Sequence, residues 1–437
     1  MDLLTGNVKK LYFRYLGAAL GSAIISSIYG LVDTAMVGQY HGPQGAAAMA
    51  VVAPVWNIIY SLGLLAGIGG SVLFSTARGQ GQSRREREYF SAALLGVSGL
   101  AIISWLVIFL LDAPLLTLFG ADQTLLPLAQ AYLLPVKWVG PVFLFNQMLA
   151  AFLRNDGDPG RAAAAVLSGG IFNIFGDYFF VFVLDMGIFG AGLATAIGSV
   201  ISLLVALTHF LSPKNTLRFL WPSRLPQKLR AILVTGFSTF FIDIAMGILT
   251  TLFNRQIMSC LGTDALAVYG IIVNVSTIVQ CCAYSVGQSA QPILSINFGA
   301  RQTLRYALWA AAFFSLAWTA LIWAAPNGFV RIFMDAGPDI YAIAPAILRT
   351  YGLSFLLLPL NIFSTYYFQS LLRPAAAFFV SVARGLVISG GLILALPALL
   401  GPEAVWLAMP VTEGVVALAV VLLIRRYTGG LGRAEVG

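Results

Sequence analysis

Long apolar stretches separated by short polar loops run through the whole chain. Residues 90–111, 188–208 and 404–424 are almost free of charged side chains. A helix rises about 1.5 Å per residue, so about 20 apolar residues cross the roughly 30 Å of hydrocarbon in a bilayer. The pattern therefore predicts an all-α polytopic membrane protein.

Twelve spans can be placed on this pattern. Several contain glycine or proline, which membrane helices tolerate when neighbouring helices satisfy the backbone. The predicted spans are 12–38, 46–73, 90–111, 125–152, 161–184, 188–210, 231–257, 265–292, 304–325, 342–371, 375–399 and 403–424.

The composition agrees with this interpretation and gives an orientation. Only 10% of the 437 residues are charged, whereas soluble domains carry about 25%. The net charge of +8 comes from lysine and arginine in alternate short loops, as the positive-inside rule describes. We therefore expect a multi-pass protein of the bacterial inner (plasma) membrane, with both termini in the cytoplasm and no nucleic-acid partner.

The two halves of the chain resemble each other. FSTARGQGQ (74–82) and LSINFGARQ (294–302) match in serine, glycine and glutamine at a constant offset. The polar segment 212–229 separates them, so the predicted organisation is a six-helix lobe (1–211), a cytoplasmic linker (212–229) and a second six-helix lobe (230–437). Repeats with an even number of spans enter the membrane in the same sense, which predicts a pseudo-twofold axis along the membrane normal.

At several places the sequence resembles the multidrug and toxic compound extrusion (MATE) family. The resemblance covers essentially the whole chain and is closest to its MepA-like branch. It implies a two-lobe fold, alternating access and drug efflux driven by H⁺ or Na⁺. The motifs are YGLVDTAMVGQYHG (29–42), GLLAGIGGSVLFSTARGQG (63–81), FLRNDGDPGRAA (152–163), NIFGDYFFVF (173–182), GAGLATAIG (190–198), GTDALAVYGI (262–271) and VWLAMPVTEGV (405–415).

Polar residues of the first half share one depth in the predicted membrane. Asp33, Asp177 and Thr195 lie about five to eight residues from the outer ends of their spans, or roughly 8–12 Å deep. Carboxylates inside a span are costly and are functional candidates. Tyr29 and Asn173 lie one helical turn before the two aspartates, on the same faces. These oxygens could surround Na⁺, or the two carboxylates could share a proton. In MATE transporters of the archaeal and DinF-type pattern, the coupling site matches these same five positions.

A second charged site and a substrate cavity are less defined. The tenth span lacks the carboxylate of the NorM-type pattern, which leaves Asp243, Lys137 and Glu413 as candidates, with Lys137 as the main mid-span cation. His41 and His209 are too far apart in sequence to suggest a site. Adaptable apolar walls with a few polar groups suit multidrug binding. The candidate wall residues are Met36, Asn57, Gln147, Met148, Met246, Gln280 and Tyr284.

The predicted function is multidrug efflux. The expected substrates are cationic or amphipathic drugs, exchanged for H⁺ or Na⁺ by a monomer in the lipid bilayer, with no cofactor and no structural metal. A flippase for lipids or lipid-linked sugars is the main alternative, although such proteins tend to carry more cavity cations. An enzyme would need a clustered nucleophile, base or metal set, which the sequence does not suggest, and a channel would not need an acidic pair in one half.

Overall fold

The computed structural model describes residues 7–296, 300–333 and 337–428, and these are almost entirely helical. Eleven helices in this part of the chain are long and apolar enough to cross a membrane, and a bent helix pair completes twelve. They are α1 Val8–Gly42, α2 Ala47–Gly79, α3 Ser83–Leu118, α4 Leu125–Trp138 with Gly140–Asn155, α5 Pro159–Val183, α6 Gly187–Leu211, α7 Leu225–Cys260, α8 Asp264–Ile296, α9 Ala300–Ala324, α10 Pro338–Ser370, α11 Pro374–Leu400 and α12 Pro402–Tyr427.

The all-α polytopic fold class is confirmed, and each predicted span overlaps one of these helices. Two irregularities were not predicted. The fourth span bends by 62° between Trp138 and Gly140. α5 and α11 each contain a π-helical turn, at Phe179–Val183 and Ala383–Val387. π-turns inside α-helices often mark functional sites, and here each lies beside or contains a buried charged residue.

The described chain divides into two compact units. The first is Gly17–Phe240, and the second joins Asn7–Leu16 to the described residues from Phe241 onward. The division thus falls within α7, and the predicted linker 212–229 lies inside the first unit. Close packing of the α7 backbone against α2 explains why the start of α7 belongs to the first unit. A Cβ atom added at Gly236 would lie 1.9 Å from the carbonyl oxygen of Leu65.

The polar segment after α6 is fastened to the helices of the first unit. The backbone N–H of Thr216 donates to Asp156 Oδ2 at 2.9 Å, and that of Leu220 donates to Ser91 Oγ at 2.8 Å. The Ser223 hydroxyl donates to Glu88 Oε1 at 3.0 Å. Residues 212–224 therefore form a bonded strap across the helix ends.

Glycines bring α4, α5 and α6 close together. A Cβ atom at Gly192 of α6 would lie 2.1 Å from the carbonyl oxygen of Tyr132 in α4, and one at Gly198 would lie 2.7 Å from the carbonyl oxygen of Gly169 in α5. No side chain fits at such distances. The small residues of the GAGLATAIG motif therefore let polar groups on three helices reach one another.

Candidate functional site

A hydrogen-bonded chain of polar side chains lies inside the first unit. The Tyr132 hydroxyl donates to Asp33 Oδ2 at 2.7 Å and lies 3.5 Å from the Thr195 hydroxyl oxygen. The Asn173 amide nitrogen lies 3.0 Å from the same Thr195 oxygen and 3.4 Å from Asp177 Oδ1. Side chains of α1, α4, α5 and α6 thus connect the two carboxylates.

Both carboxylates are shielded from solvent and lipid. Asp33 is 5% exposed and Asp177 is 0% exposed. The predicted residues Asp33, Asn173, Asp177 and Thr195 are therefore brought together by the fold. An isolated buried charge would cost many kcal/mol, so such groups must be paired, hydrogen-bonded or neutralised.

Three oxygens of this site are left without a hydrogen-bond partner among the described residues. They are Asp33 Oδ1, Asn173 Oδ1 and Asp177 Oδ2, all buried. Carboxylate and amide oxygens of this kind suit a hard cation, and a carboxylate oxygen can equally take a proton. The donor set therefore fits either H⁺ or Na⁺.

Tyr29 lies beside the site, where it interacts electrostatically with Asp33. A Cβ atom at Gly170 would lie 3.1 Å from Cδ1 of the Tyr29 ring, so this ring packs against α5 one turn before Asn173. Its hydroxyl forms none of the hydrogen bonds that link the chain of polar groups in the described structure. Tyr29 therefore packs beside the site, and its part in ion coupling stays a prediction.

Tyr132 is the central residue that the sequence reasoning missed. Its hydroxyl is the group between Asp33 and Thr195, and the residue is 1% exposed. It lies about seven residues inside the predicted fourth span, or roughly 10 Å deep. The depth argument applied to Asp177 and Thr195 would have found it, had it been extended to tyrosine hydroxyls.

Two of the three candidates for a second charged site, Lys137 and Glu413, have separate partners. Lys137 pairs with Asp112. The two residues form a structural ion pair of the first unit, so Lys137 is not a free cation. Glu413 is fully buried in the second unit, where Arg384 Nε donates to its Oε1 at 2.7 Å. Asn361 Nδ2 donates to Glu413 Oε2 at 2.6 Å. The sequence reasoning missed Arg384, a buried cation within α11. The prediction that Lys137 is the main mid-span cation is therefore corrected.

Another polar cluster joins the helix ends beside the strap. His209 is fully buried, with Nε2 2.7 Å from Asp156 Oδ2 and Nδ1 3.4 Å from Asp158 Oδ2. Arg78 bonds to Asp156 Oδ1 at 2.7 Å and to Glu86 Oε1 at 2.6 Å. The sequence reasoning considered His209 only together with His41 and missed this cluster, because the partners of His209 lie about 50 residues away in the sequence.

These contacts set the charge state of the two aspartates. Burial by itself would raise the pKa of Asp156, but hydrogen bonds from His209 and Thr216 and the positive charge of Arg78 outweigh it and hold the pKa below its ordinary value. Burial would also raise the pKa of Asp158. The positive charge of Lys214 and a hydrogen bond from His209 outweigh burial, so the pKa of Asp158 is lowered. Both groups are therefore anionic anchors for the helix ends.

A family model matches the chain over two long segments. The MatE model covers residues 18–179 and 239–390, which is well over half of the sequence. The chain belongs to the MatE family. The predicted resemblance is thereby confirmed, and members of this family are transporters rather than enzymes.

Similar proteins agree with the MatE assignment. The multidrug export protein MepA of Staphylococcus saprophyticus is 23% identical over 411 residues, covering 92% of this chain and 90% of the relative. MepA of Staphylococcus aureus is 23% identical over 408 residues, with the same coverage. A structure described as the outward-facing conformation of a multidrug resistance MATE family transporter has a TM-score of 0.90, with 22% identity and 98% of each chain covered.

A MOP superfamily transporter from Pyrococcus furiosus is also similar in fold. Its TM-score is 0.87 at 22% identity, and the match covers 99% of this chain and 98% of that one. At this identity the likeness concerns the fold. It agrees with a multi-pass membrane protein whose helices follow the MatE arrangement.

The predicted cavity residues of this MatE protein divide between the two units. Met148 is 0% exposed in the core of the first unit, where a Cβ atom at Gly67 would lie 2.9 Å from its Cα. Gln147 packs in the same way against Gly63. Met36 is half-buried and Asn57 is exposed.

The candidates in the second unit lie at or near a cavity. Met246 and Gln280 line it, together with Arg384. Tyr284 is half-buried, with its ring 6.4 Å from that of Tyr366. Asp243 is also half-buried and interacts electrostatically with Tyr284.

Proposed function

We propose that this MatE protein is a secondary active multidrug exporter. It exchanges cationic or amphipathic drugs for H⁺ or Na⁺ by alternating access, and Asp33 and Asp177 are its coupling residues. The names of the MepA relatives support drug export. The coupling role rests on one observation, the hydrogen-bonded chain that joins these two buried carboxylates.

Neutralisation of the carboxylates is the step that couples the ion to the conformation. A charged carboxylate accepts hydrogen bonds more strongly than a neutral one. When Asp33 and Asp177 take up the coupling ion, the bonds from Tyr132 and Asn173 therefore weaken, and α1, α4, α5 and α6 repack. Export follows if ion and drug favour different conformations, because a ligand shifts an equilibrium only by its differential affinity.

The proposal includes the cellular setting. The protein acts as a monomer in the bacterial inner membrane with both termini in the cytoplasm. In the proposed organisation, 1–211 and 230–437 are the two lobes and 212–229 is the linker on the cytoplasmic side. The basic loops described above support this orientation.

Transport in proteoliposomes tests the coupling. The purified protein is reconstituted, a pH gradient or a Na⁺ gradient is imposed separately, and ethidium export is followed by fluorescence. We expect one of the two gradients to drive export, and both Asp177→Asn and Asp33→Asn to reduce it to the background of empty vesicles.

The matched control is Asp122→Asn, which makes the same change at an exposed carboxylate in the loop before α4. That variant should export at the wild-type rate. Wild-type rates from Asp177→Asn would remove this residue from the mechanism, and export without any gradient would reject secondary active transport.

A further inference from the structure

Two large aromatic side chains of the strap point outward. Phe219 is 54% exposed and Trp221 is 70% exposed, and their rings pack edge to face with centroids 6.2 Å apart. Leu217, two residues earlier, is 2% exposed and belongs to the hydrophobic core of the first unit. The strap therefore has an inner apolar contact that fixes it and an outer aromatic pair, Phe219 and Trp221, that remains open.

The backbone bonds of the strap hold the aromatic pair at a defined level. The N–H of Leu220, between the two aromatic residues, donates to Ser91 Oγ at 2.8 Å. Ser91 lies at the start of the apolar run 90–111 of α3, and the apolar part of α7 begins soon after the strap, near residue 231. The aromatic pair therefore lies where hydrocarbon meets the headgroups of the bilayer. Tryptophan is enriched at that depth, because its ring is apolar and its N–H stays hydrated.

Basic residues flank the aromatic pair. Residues 212–230 contain five lysines and arginines and no acidic residue. Three of them, Arg218, Arg224 and Arg230, are exposed and form no ion pair within the part of the chain that the structure describes. The acid that lies under the strap, Glu88, is 2% exposed and already paired with a lysine. The outer face of the strap and of the first turns of α7 is therefore positive.

The combination of charge and aromatic surface defines the ligand. Guanidinium groups bind phosphate oxygens through parallel hydrogen bonds, and basic residues at a membrane surface are attracted to anionic headgroups. Aromatic rings at the same level gain free energy by entering the boundary between headgroups and acyl chains. A free phosphate would use the arginines and leave the aromatic pair in water. An anionic phospholipid uses both.

We propose that the strap and the first turns of α7 form a binding site for anionic phospholipids. Arg218, Arg224 and Arg230 bind the headgroup phosphates, and Phe219 and Trp221 pack on the adjoining glycerol and acyl chains. The inference is independent of the proposed export function, since this site shares no residue with the acidic chain of the first unit.

Two labelled lipids that differ in headgroup charge provide the probe. Phosphatidylglycerol and phosphatidylcholine carry the same fluorophore on one acyl chain, and their binding to the full-length protein in detergent is measured by fluorescence anisotropy. An arginine near an anionic membrane surface contributes about fivefold in affinity. We therefore expect phosphatidylglycerol to bind at least about tenfold more tightly than phosphatidylcholine.

Variants of the strap separate the headgroup contact from the apolar one. The triple variant Arg218→Gln, Arg224→Gln and Arg230→Gln changes exposed side chains, so its Tm should match that of the wild type. Its affinity for phosphatidylglycerol should fall to that for phosphatidylcholine. Trp221→Ala should instead weaken both lipids several-fold and leave the preference in place.

Quenching places the lipid at the strap. Phosphatidylglycerol with brominated acyl chains should quench the fluorescence contributed by Trp221, which is the difference between the wild type and Trp221→Phe. In the triple arginine variant this quenching should be weaker. No quenching of the Trp221 contribution in the wild type would place the aromatic pair in water and overturn the site.

The matched control removes three exposed arginines from the second unit and leaves the strap unchanged. It should retain the preference for phosphatidylglycerol. Equal affinities of the wild type for the two lipids, or the same loss of preference in both triple variants, would overturn the site, the latter because net charge alone would explain the binding. Displacement of phosphatidylglycerol by inorganic phosphate at constant ionic strength would assign the arginines to a free anion instead. The control variant is Arg301→Gln, Arg305→Gln and Arg425→Gln.

Discussion

The hydroxyl of Tyr132 lies 2.7 Å from Oδ2 of Asp33 and donates a hydrogen bond to that carboxylate from another helix. A helix other than the one carrying the acid therefore controls its environment. Because the Tyr132 hydroxyl also approaches that of Thr195, a change in the charge of Asp33 affects side chains of both α4 and α6. This makes the tyrosine a residue to test directly.

Tyr132→Phe removes the hydroxyl and keeps the ring. We expect gradient-driven ethidium export to fall by about tenfold, because a hydrogen bond to a charged group contributes about 1.5–3 kcal/mol. The control is Tyr40→Phe, which removes a tyrosine hydrogen bond to the exposed Asp185 and should have little effect. Equal losses in both variants would argue that Tyr132 acts only in stability.

Thr195 is tested by a pair of substitutions. Thr195→Val keeps the shape but removes the oxygen that links Tyr132 to Asn173, whereas Thr195→Ser retains it. We expect export to be strongly reduced in the valine variant and to remain within about threefold of wild type in the serine variant, a difference of less than about 1 kcal/mol. The initial rate of ethidium efflux measures both, and similar rates would exclude the hydroxyl from the coupling chain.

Gly192→Ala tests the packing that assembles the site. The added Cβ would lie 2.1 Å from the carbonyl oxygen of Tyr132, so α4 and α6 must separate. We expect a loss of thermal stability of the order of 1–3 kcal/mol together with loss of transport. Gly99→Ala is the control, since nothing lies within 4 Å of its added Cβ. In a helix that change should be neutral or slightly stabilising.

The cluster around Asp156 predicts acid sensitivity. Its pKa is lower in the folded protein than in the unfolded chain, so its stabilising contribution is complete above the unfolded value of about 3.9 and is lost as the pH falls through the folded value. The Tm in detergent should therefore change little between about pH 7 and 5 and fall steeply below about pH 4.

Asp156→Asn should lower the Tm already at pH 7, by an amount equivalent to about 3 kcal/mol, because Arg78 loses a buried partner. Its further fall in acid should be shallower than that of the wild type. Asp339→Asn, at an exposed position in the first turn of α10, serves as control. A wild-type acid profile in Asp156→Asn would contradict the assignment.

The spans and the first-half site could be predicted because each depends on position along one helix. Hydrophobic length gives the spans, and depth gives the level shared by Asp33, Asp177 and Thr195. The hydrogen bonds that join them through Tyr132 could not be predicted, since these require the close approach at Gly192 and Gly198. That approach depends on how α4, α5 and α6 pack against each other.

Arg384 and His209 show what the sequence pattern left out. Arg384 lies well inside an apolar stretch, and such a cation needs a partner in the membrane. Its match with Glu413 joins two spans and is visible only after folding. The bonds of His209 depend on the loop between α4 and α5 returning beside the end of α6, a tertiary relation that no local spacing encodes.

The strap formed by residues 212–224 bears on how this protein can be engineered. Although polar and without a helix, it is bonded through Thr216, Leu220 and Ser223 to three separate sites. An epitope or a fluorescent protein inserted near Lys214, where the side chain is 47% exposed, would spare those anchors. The same insertion between Thr216 and Ser223 would break those hydrogen bonds. Because it is bonded, that stretch should also be cleaved slowly by proteases.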